Sequence, residues 1–310
     1  MEKNIQISNQ YEDEIDLREL FTVLWAGKVM IVAITVVFAI TSVIYALSLP
    51  NHYKATTLLV PSQSDGGGLS GALGQLGGLA SLAGVSIGGG ESGESQVAQK
   101  IMKSWSFVEH FIVDNDLAVE VYAAKGWNKA SGELRIDQDI YDTETKTWLI
   151  SDSSGLAGPP SSWMLFKSFS KRLAVSEDKK TGLISVSIEY YSPHIAKRWL
   201  DLYISSINKH MQERQMEKVS RNIQYLENQI EKTEIAEMQE VFYTIIEEQL
   251  KSKMLVEASP NYVFTEVSPS MIPEEKSQPK RALICILGVM LGGMLSVLLV
   301  LVLHYARKSD

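Results

Sequence analysis

Gly66, Gly68 and Gly71 satisfy the G-x-G-x-x-G spacing of a dinucleotide turn, and Glu91 follows about twenty residues on, where such sites place a ribose-binding acid. The run from 66 to 90 is so rich in glycine that it meets this pattern by chance. No G-x-x-x-x-G-K-[ST] occurs, so the chain offers no phosphate-cradling loop of the kinase or ATPase kind. The five histidines, His52, His110, His194, His210 and His304, lie scattered without metal-ligand spacing. The single cysteine, Cys285, falls in an apolar run, and there is no G-x-S-x-G elbow. Asp114/Asp116 and Asp137/Asp139 are close enough to act as acid pairs but read as solvated loop and cap residues. The sequence therefore assigns no catalytic residue, no cofactor-binding residue and no metal ligand. A net charge of −8 without a basic cluster argues against nucleic acid as a partner.

The spacing that does carry a physical consequence is Gly288, Gly292 and Ser296, small residues recurring every four positions in an apolar segment. Such a face lets two helices approach closely in lipid, whether the partner is another span of the chain or another subunit. The segment, 282–303, and its counterpart at 29–49 contain no charged residue. Each is about twenty residues long, which at ~1.5 Å per residue matches a hydrocarbon core of ~30 Å. Both are expected to be transmembrane helices. The first is too long for a signal-peptide core, and its leader is acidic (Glu12, Asp13, Glu14, Asp16, Glu19) rather than basic. Trp25 and Tyr45 bracket it, and Tyr305 closes the second, as interface aromatics do. Lys28, Arg307 and Lys308 favour cytoplasmic termini, whereas Lys276, Lys280 and Arg281 sit on the loop side. A loop this long translocates regardless of charge, so the reading is cytoplasmic termini. Without loop cysteines, the intervening region must be stable through its own core or through assembly.

The fold class that follows is an α+β membrane protein: two transmembrane helices flank a non-cytoplasmic α/β base domain with a long helical arm. Residues 1–28 form an amphipathic cytoplasmic segment, 29–49 the first span, 50–280 the soluble domain, 281–304 the second span and 305–310 a cytoplasmic tail. Leu17, Leu20, Phe21 and Leu24 give the first segment its apolar face. Residues 53–60 read as a strand leaving the membrane, and 66–90 as a flexible loop in preference to a weakly apolar helix. Residues 97–113 have helical periodicity. Residues 125–160 read as mostly loop with short helical pieces, and 161–171 as helix. Residues 173–176 and 183–190 form a hairpin candidate around a turn-rich 177–182.

Residues 194–259 contain neither Gly nor Pro. Val219, Ile223, Leu226 and Ile230 follow 4-3-4 spacing, the heptad seam of a coiled coil, and are the expected oligomer contacts of the arm. The almost wholly polar 208–218 should project into water. One straight helix would reach ~95 Å, but the residues left before the second span extend at most ~75 Å. A hairpin reversing near 231–237 satisfies this closure better than a strongly tilted single helix. Residues 262–267 then return as a strand, and Pro269, Pro273 and Pro279 make a stiff strap toward the second span.

Together these segments resemble the Wzz-type polysaccharide chain-length determinants, the polysaccharide co-polymerases of Gram-negative inner membranes. The resemblance rests on DEIDLRELFTVLWAGK (13–28), KSWSFVEHFI (103–112), KRLAVSEDKKTGLISVSIEYYSP (171–193), YLENQIEKTEIAEMQEVFYTIIEEQ (225–249), SPNYVFTEVSPSMIPEEKSQPKR (259–281) and the glycine-bearing second span. It implies cytoplasmic termini, a periplasmic base, a helical arm and ring-shaped homo-oligomers, often octamers. It further implies a non-enzymatic regulator that sets the modal length of O-antigen in lipopolysaccharide, or of a related glycan, working with a polymerase on undecaprenyl-diphosphate-linked glycan. The alternative within the family is a capsule or exopolysaccharide export co-polymerase working with a separate tyrosine kinase. A two-span sensor is the reading of a different class, and it needs a cytoplasmic output domain that the 305–310 tail does not provide.

Overall fold

The computed structural model describes residues 17–62, 91–150 and 158–309. The glycine-rich 66–90 segment lies outside the described residues. The chain divides into two compact units, one made of residues 1–50 with 278–310 and the other of residues 51–277.

The first unit is helical. α1 (Leu17–Ala26) passes through Gly27 into α2 (Lys28–Ser48), the Gly27 amide still donating to the Val23 carbonyl. A final helix, α9 (Arg281–Ser309), packs along α2 and α1. Both α2 and α9 are long and apolar enough to cross a membrane. Their large side chains face outward, from Val29 and Ile44 to Leu283 and Val302. An apolar helix whose surface is left bare in this way is built for lipid.

The second unit is an antiparallel sheet backed by helices. β1 (His52–Pro61) alternates as a half-buried strand must: Ala55, Thr57 and Leu59 point into the core while Lys54 and Thr56 face out. α3 (Glu91–Met102) and α4 (Trp105–Asp114) follow, then the short α5 (Ala118–Tyr122). The periodicity over 97–113 suggested one helix. It is two, because Ser104 leaves the helical region and its hydroxyl caps the Phe107 amide of the next helix.

The stretch expected to be mostly loop carries two small hairpins instead, β2 (Ala124–Trp127) with β3 (Leu134–Ile136) and β4 (Tyr141–Asp142) with β5 (Thr147–Trp148). Aromatic cross-strand packing explains the second, since Tyr141 and Trp148 meet at 4.9 Å and Tyr122 abuts Trp148. α6 (Ser162–Ser170) is capped by Ser161. β6 (Leu173–Glu177) and β7 (Ile184–Tyr190) form the anticipated hairpin, with Gly182 in its turn at φ +70.

α7 (Pro193–Lys232) and α8 (Ala236–Glu257) come next, then β8 (Phe264–Ser268) and β9 (Lys276–Gln278). The five-stranded sheet runs β6-β7-β1-β8, with β9 also paired to β1. The first part of α7 lies on this sheet. It supplies Trp199, Leu200, Tyr203 and Ile207, all fully buried. Tyr203 is the hub: its ring meets Phe107, Phe111 and Phe169 at 5.4, 4.8 and 5.5 Å, and its hydroxyl donates to the Met102 carbonyl. Burial pushes that phenol's pKa up, so it stays a donor.

Candidate functional site: paired spans and helical hairpin

The four-residue repeat of α9 has its partner in α2 of the same chain. A Cβ added to Gly288 would collide with the Ser42 side chain, and one on Gly292 would lie 2.5 Å from the Phe38 Cβ. Ser296 is fully buried and returns its hydroxyl to the Gly293 carbonyl, so it packs without leaving a bare donor in an apolar setting. On the other side Gly27 completes the seam, where an added Cβ would fall 2.5 Å from Val300. Val23, Ala46 and Val300 are buried along the same line. Close backbone approach, not side-chain polarity, holds this pair. Sequence reading found the α9 face but missed Gly27, Ser42 and Ala46; Ser42 and Ala46 share the four-residue spacing, but only as a single pair.

The arm is a hairpin. α7 and α8 reverse over 233–235, inside the window that chain closure required. Gln239 closes the turn by donating to the Thr233 carbonyl (2.6 Å), beyond the end of α7, and to that of Ile230 (3.3 Å), which also accepts the Thr233 amide. At the other end Gln212 donates to the carbonyls of Val256, Ser259 and Glu257, at 2.8, 3.2 and 3.4 Å. Asn208 is 2% exposed and uses both ends of its amide: Oδ1 accepts from the Val263 and Phe264 amides, and Nδ2 donates to the Phe264 carbonyl. The polar stretch 208–218 thus does not simply project into water. Its first turn is a clasp that ties the returning chain to the core.

Of the four seam residues, Val219 is buried and Ile223, Leu226 and Ile230 are half-buried. Within the single chain the hairpin covers Val219, and the other three keep part of their surface open. The apolar side chains left outward are others: Tyr225 (62% exposed), Val241, Tyr243, Leu250, Met254 (69%) and Leu255. On α8, Tyr243, Leu250 and Met254 fall on one side of the helix at ~100° per residue and form an exposed apolar stripe there.

Between β8 and β9 the strap with Pro269 and Pro273 has no regular structure. It is fixed by Ser270, buried and donating to the Asp201 carboxylate, which also takes Lys197 at 2.5 Å. Pro279 precedes α9.

The residues considered for chemistry are apart. His52 lies tilted against Tyr191, His210 meets Phe107 edge-on, and His110 bonds the Ser106 carbonyl. Asp114 ends α4, and Asp116 is a turn residue at φ 52. Asp137 pairs with Lys125 at 2.7 Å and caps the Asp139 amide. Its carboxyl is held below the ordinary range chiefly by the Lys125 hydrogen bond. No group of three metal-binding side chains occurs among the described residues.

Residues 13–114 match the family model of the Wzz chain length determinant protein. That stretch runs from the leader of α1 through α2 and β1 to the end of α4. No curated protein matches the chain. Among solved structures it is similar to a full-length bacterial polysaccharide co-polymerase, with 14% identity and a TM-score of 0.40, over 96% of this chain and 99% of that one. It is also similar to a fragment of WzzB, a polysaccharide co-polymerase from Salmonella Typhimurium, with 12% identity and a TM-score of 0.31, over 74% of this chain and all of the fragment.

Proposed function

We propose, from the premise that residues 13–114 carry the chain length determinant pattern, that the protein is a non-enzymatic polysaccharide co-polymerase regulating the modal length of a surface glycan such as O-antigen. In this reading α2 and α9 cross the Gram-negative inner membrane, both termini are cytoplasmic and residues 51–277 are periplasmic. The observation that carries it is the match itself, because it falls on the first span and the first elements of the base.

The span seam and the hairpin clasp supply the mechanics. Each protomer is a preassembled unit whose helices are already paired. The exposed Tyr225 and the stripe with Tyr243 and Met254 then meet further copies of the chain. A ring of such units holds a Wzy-type polymerase and its undecaprenyl-diphosphate-linked product so that elongation ends within a preferred range.

The test is the gel profile of surface polysaccharide from a strain lacking the gene, with and without its restoration. Polymer retained with its modal clustering lost, and regained on restoration, is the expected result. Complete loss of polymer would instead assign the protein to export or synthesis, with a kinase partner to be sought. An unchanged profile would remove the proposal.

A further inference from the structure

We propose that Arg172 is the centre of a phosphate-binding site at the end of the sheet that adjoins the spans in sequence. It would hold the phosphate of a membrane lipid headgroup. The proposal uses the membrane placement argued above and is independent of the polymer-length role.

Arg172 stands between α6 and β6, and its carbonyl accepts the Glu189 amide at 2.9 Å, which fixes its backbone to the sheet. Its guanidinium carbon lies 4.8 Å over the Tyr190 ring and 5.4 Å over that of Tyr191. His52 extends this aromatic wall, its ring 4.7 Å from Tyr191. Among the described residues, Nη1 of Arg172 is buried and has no hydrogen-bond partner. A charged donor that has lost water and gained no acceptor is costly, and an arriving anion relieves that cost. The Tyr190 hydroxyl donates to the Glu120 carbonyl at 2.6 Å and also bonds the Arg172 side chain, yet Nη1 is left without a partner.

Three features select a phosphate. A guanidinium presents paired N–H groups that match two phosphate oxygens. Exposed Lys171 precedes Arg172. Lys54, also exposed, is in register with Glu189, the residue whose amide meets Arg172. His52 does not compete as a cation: burial holds its pKa below the ordinary value and Arg172 pushes the same way, while Glu189 opposes.

The tether selects a lipid source. His52 opens β1 four residues after α2 ends, a reach of at most about 14 Å when extended. Ser277, which donates to the His52 carbonyl at 3.1 Å and to the Glu189 carboxylate at 3.0 Å, lies four residues before α9. The phosphates most concentrated within such a tether are those of the bilayer surface.

Native mass spectrometry of the full-length chain, released from mixed phosphatidylglycerol and phosphatidylcholine nanodiscs, tests the site. The unsubstituted chain should retain phosphatidylglycerol, and Arg172→Gln should lower that retention about tenfold, the loss of one bidentate contact. Tyr191→Ala, which removes one wall and leaves the charge, should lower it less. In a parallel arm, inorganic phosphate is added to the detergent-purified chain. Competition by millimolar phosphate would show that the headgroup phosphate alone is recognised. Retention unaffected by phosphate but lost in Arg172→Gln would show that the lipid as a whole is. If Arg172→Gln loses its helical circular dichroism, Tyr191→Ala decides. Equal retention in the folded variants and the unsubstituted chain, or none in any, overturns the proposal. A normal polysaccharide profile does not bear on it.

Discussion

Asn208 does the most with the fewest atoms, since three hydrogen bonds converge on one buried amide. Replacing it by leucine keeps the volume but strands two backbone amides and a carbonyl. The thermal midpoint of the full-length chain should fall, with a stability loss of about 2–4 kcal/mol, because each buried unsatisfied group costs ~1–3 kcal/mol and relaxation recovers part. Gln212→Ala, on a half-buried contact, should cost clearly less. Protonation is the second effect at this scale. Burial lowers the pKa of both His52 and His210 below 6.5. The unfolded chain then binds protons first, so their contribution is whole above pH 6.5 and lost as pH falls through the lowered folded values. The thermal midpoint should drop between pH 7 and 5, and His52→Gln/His210→Gln should flatten that part of the curve. An unchanged slope in the double variant would show that neither imidazole is linked to folding.

Among the elements, the helix pairs divide the labour. Gly292→Leu must push against Phe38 and should lower the thermal midpoint in detergent, whereas Gly293→Leu, with open space at its Cβ, should not. On the hairpin, Tyr225→Glu and Met254→Glu should leave the midpoint within a degree or two but lower the assembled fraction in cross-linking or light scattering. If both variants assemble normally, these exposed side chains are not the contact between copies. These elements also show how far the sequence could be read. The hairpin was legible because covalent reach forbids a long spike, and the α9 seam because its small residues repeat. Its partner positions were not legible, since Gly27 and Ser42 matter only through what lies opposite them. The Asn208 clasp was hidden for a related reason: a polar residue in a polar run looks solvated until the strand it meets, 55 residues later, is in place. The small hairpins within 124–148 were lost because turn residues outnumber the strand residues between them.

For the molecule as a whole, the absence of loop cysteines places the burden of stability on one aromatic core, drawn from β1, β7, α4, α6 and the first half of α7. Tyr203→Phe removes only the hydroxyl that reaches the Met102 carbonyl, and it should cost about 1–2 kcal/mol in a chemical-denaturation midpoint shift. Apart from Val219, no comparable substitution beyond Met216 on the arm should do so, because Val219 is the only buried side chain among the described residues from there outward. Core and arm are thus distinct in energy although one helix serves both.

That shared helix has a mechanical meaning. α7 is forty residues, about 60 Å, without a glycine or an internal proline to bend at. Its inner part is clamped by Trp199, Tyr203 and Asn208, and its outer part carries the exposed Tyr225. It is a lever whose fulcrum is the amide of Asn208. In the assembly proposed above, a load on Tyr225 reaches Trp199 through α7, and with it the sheet on which that helix lies.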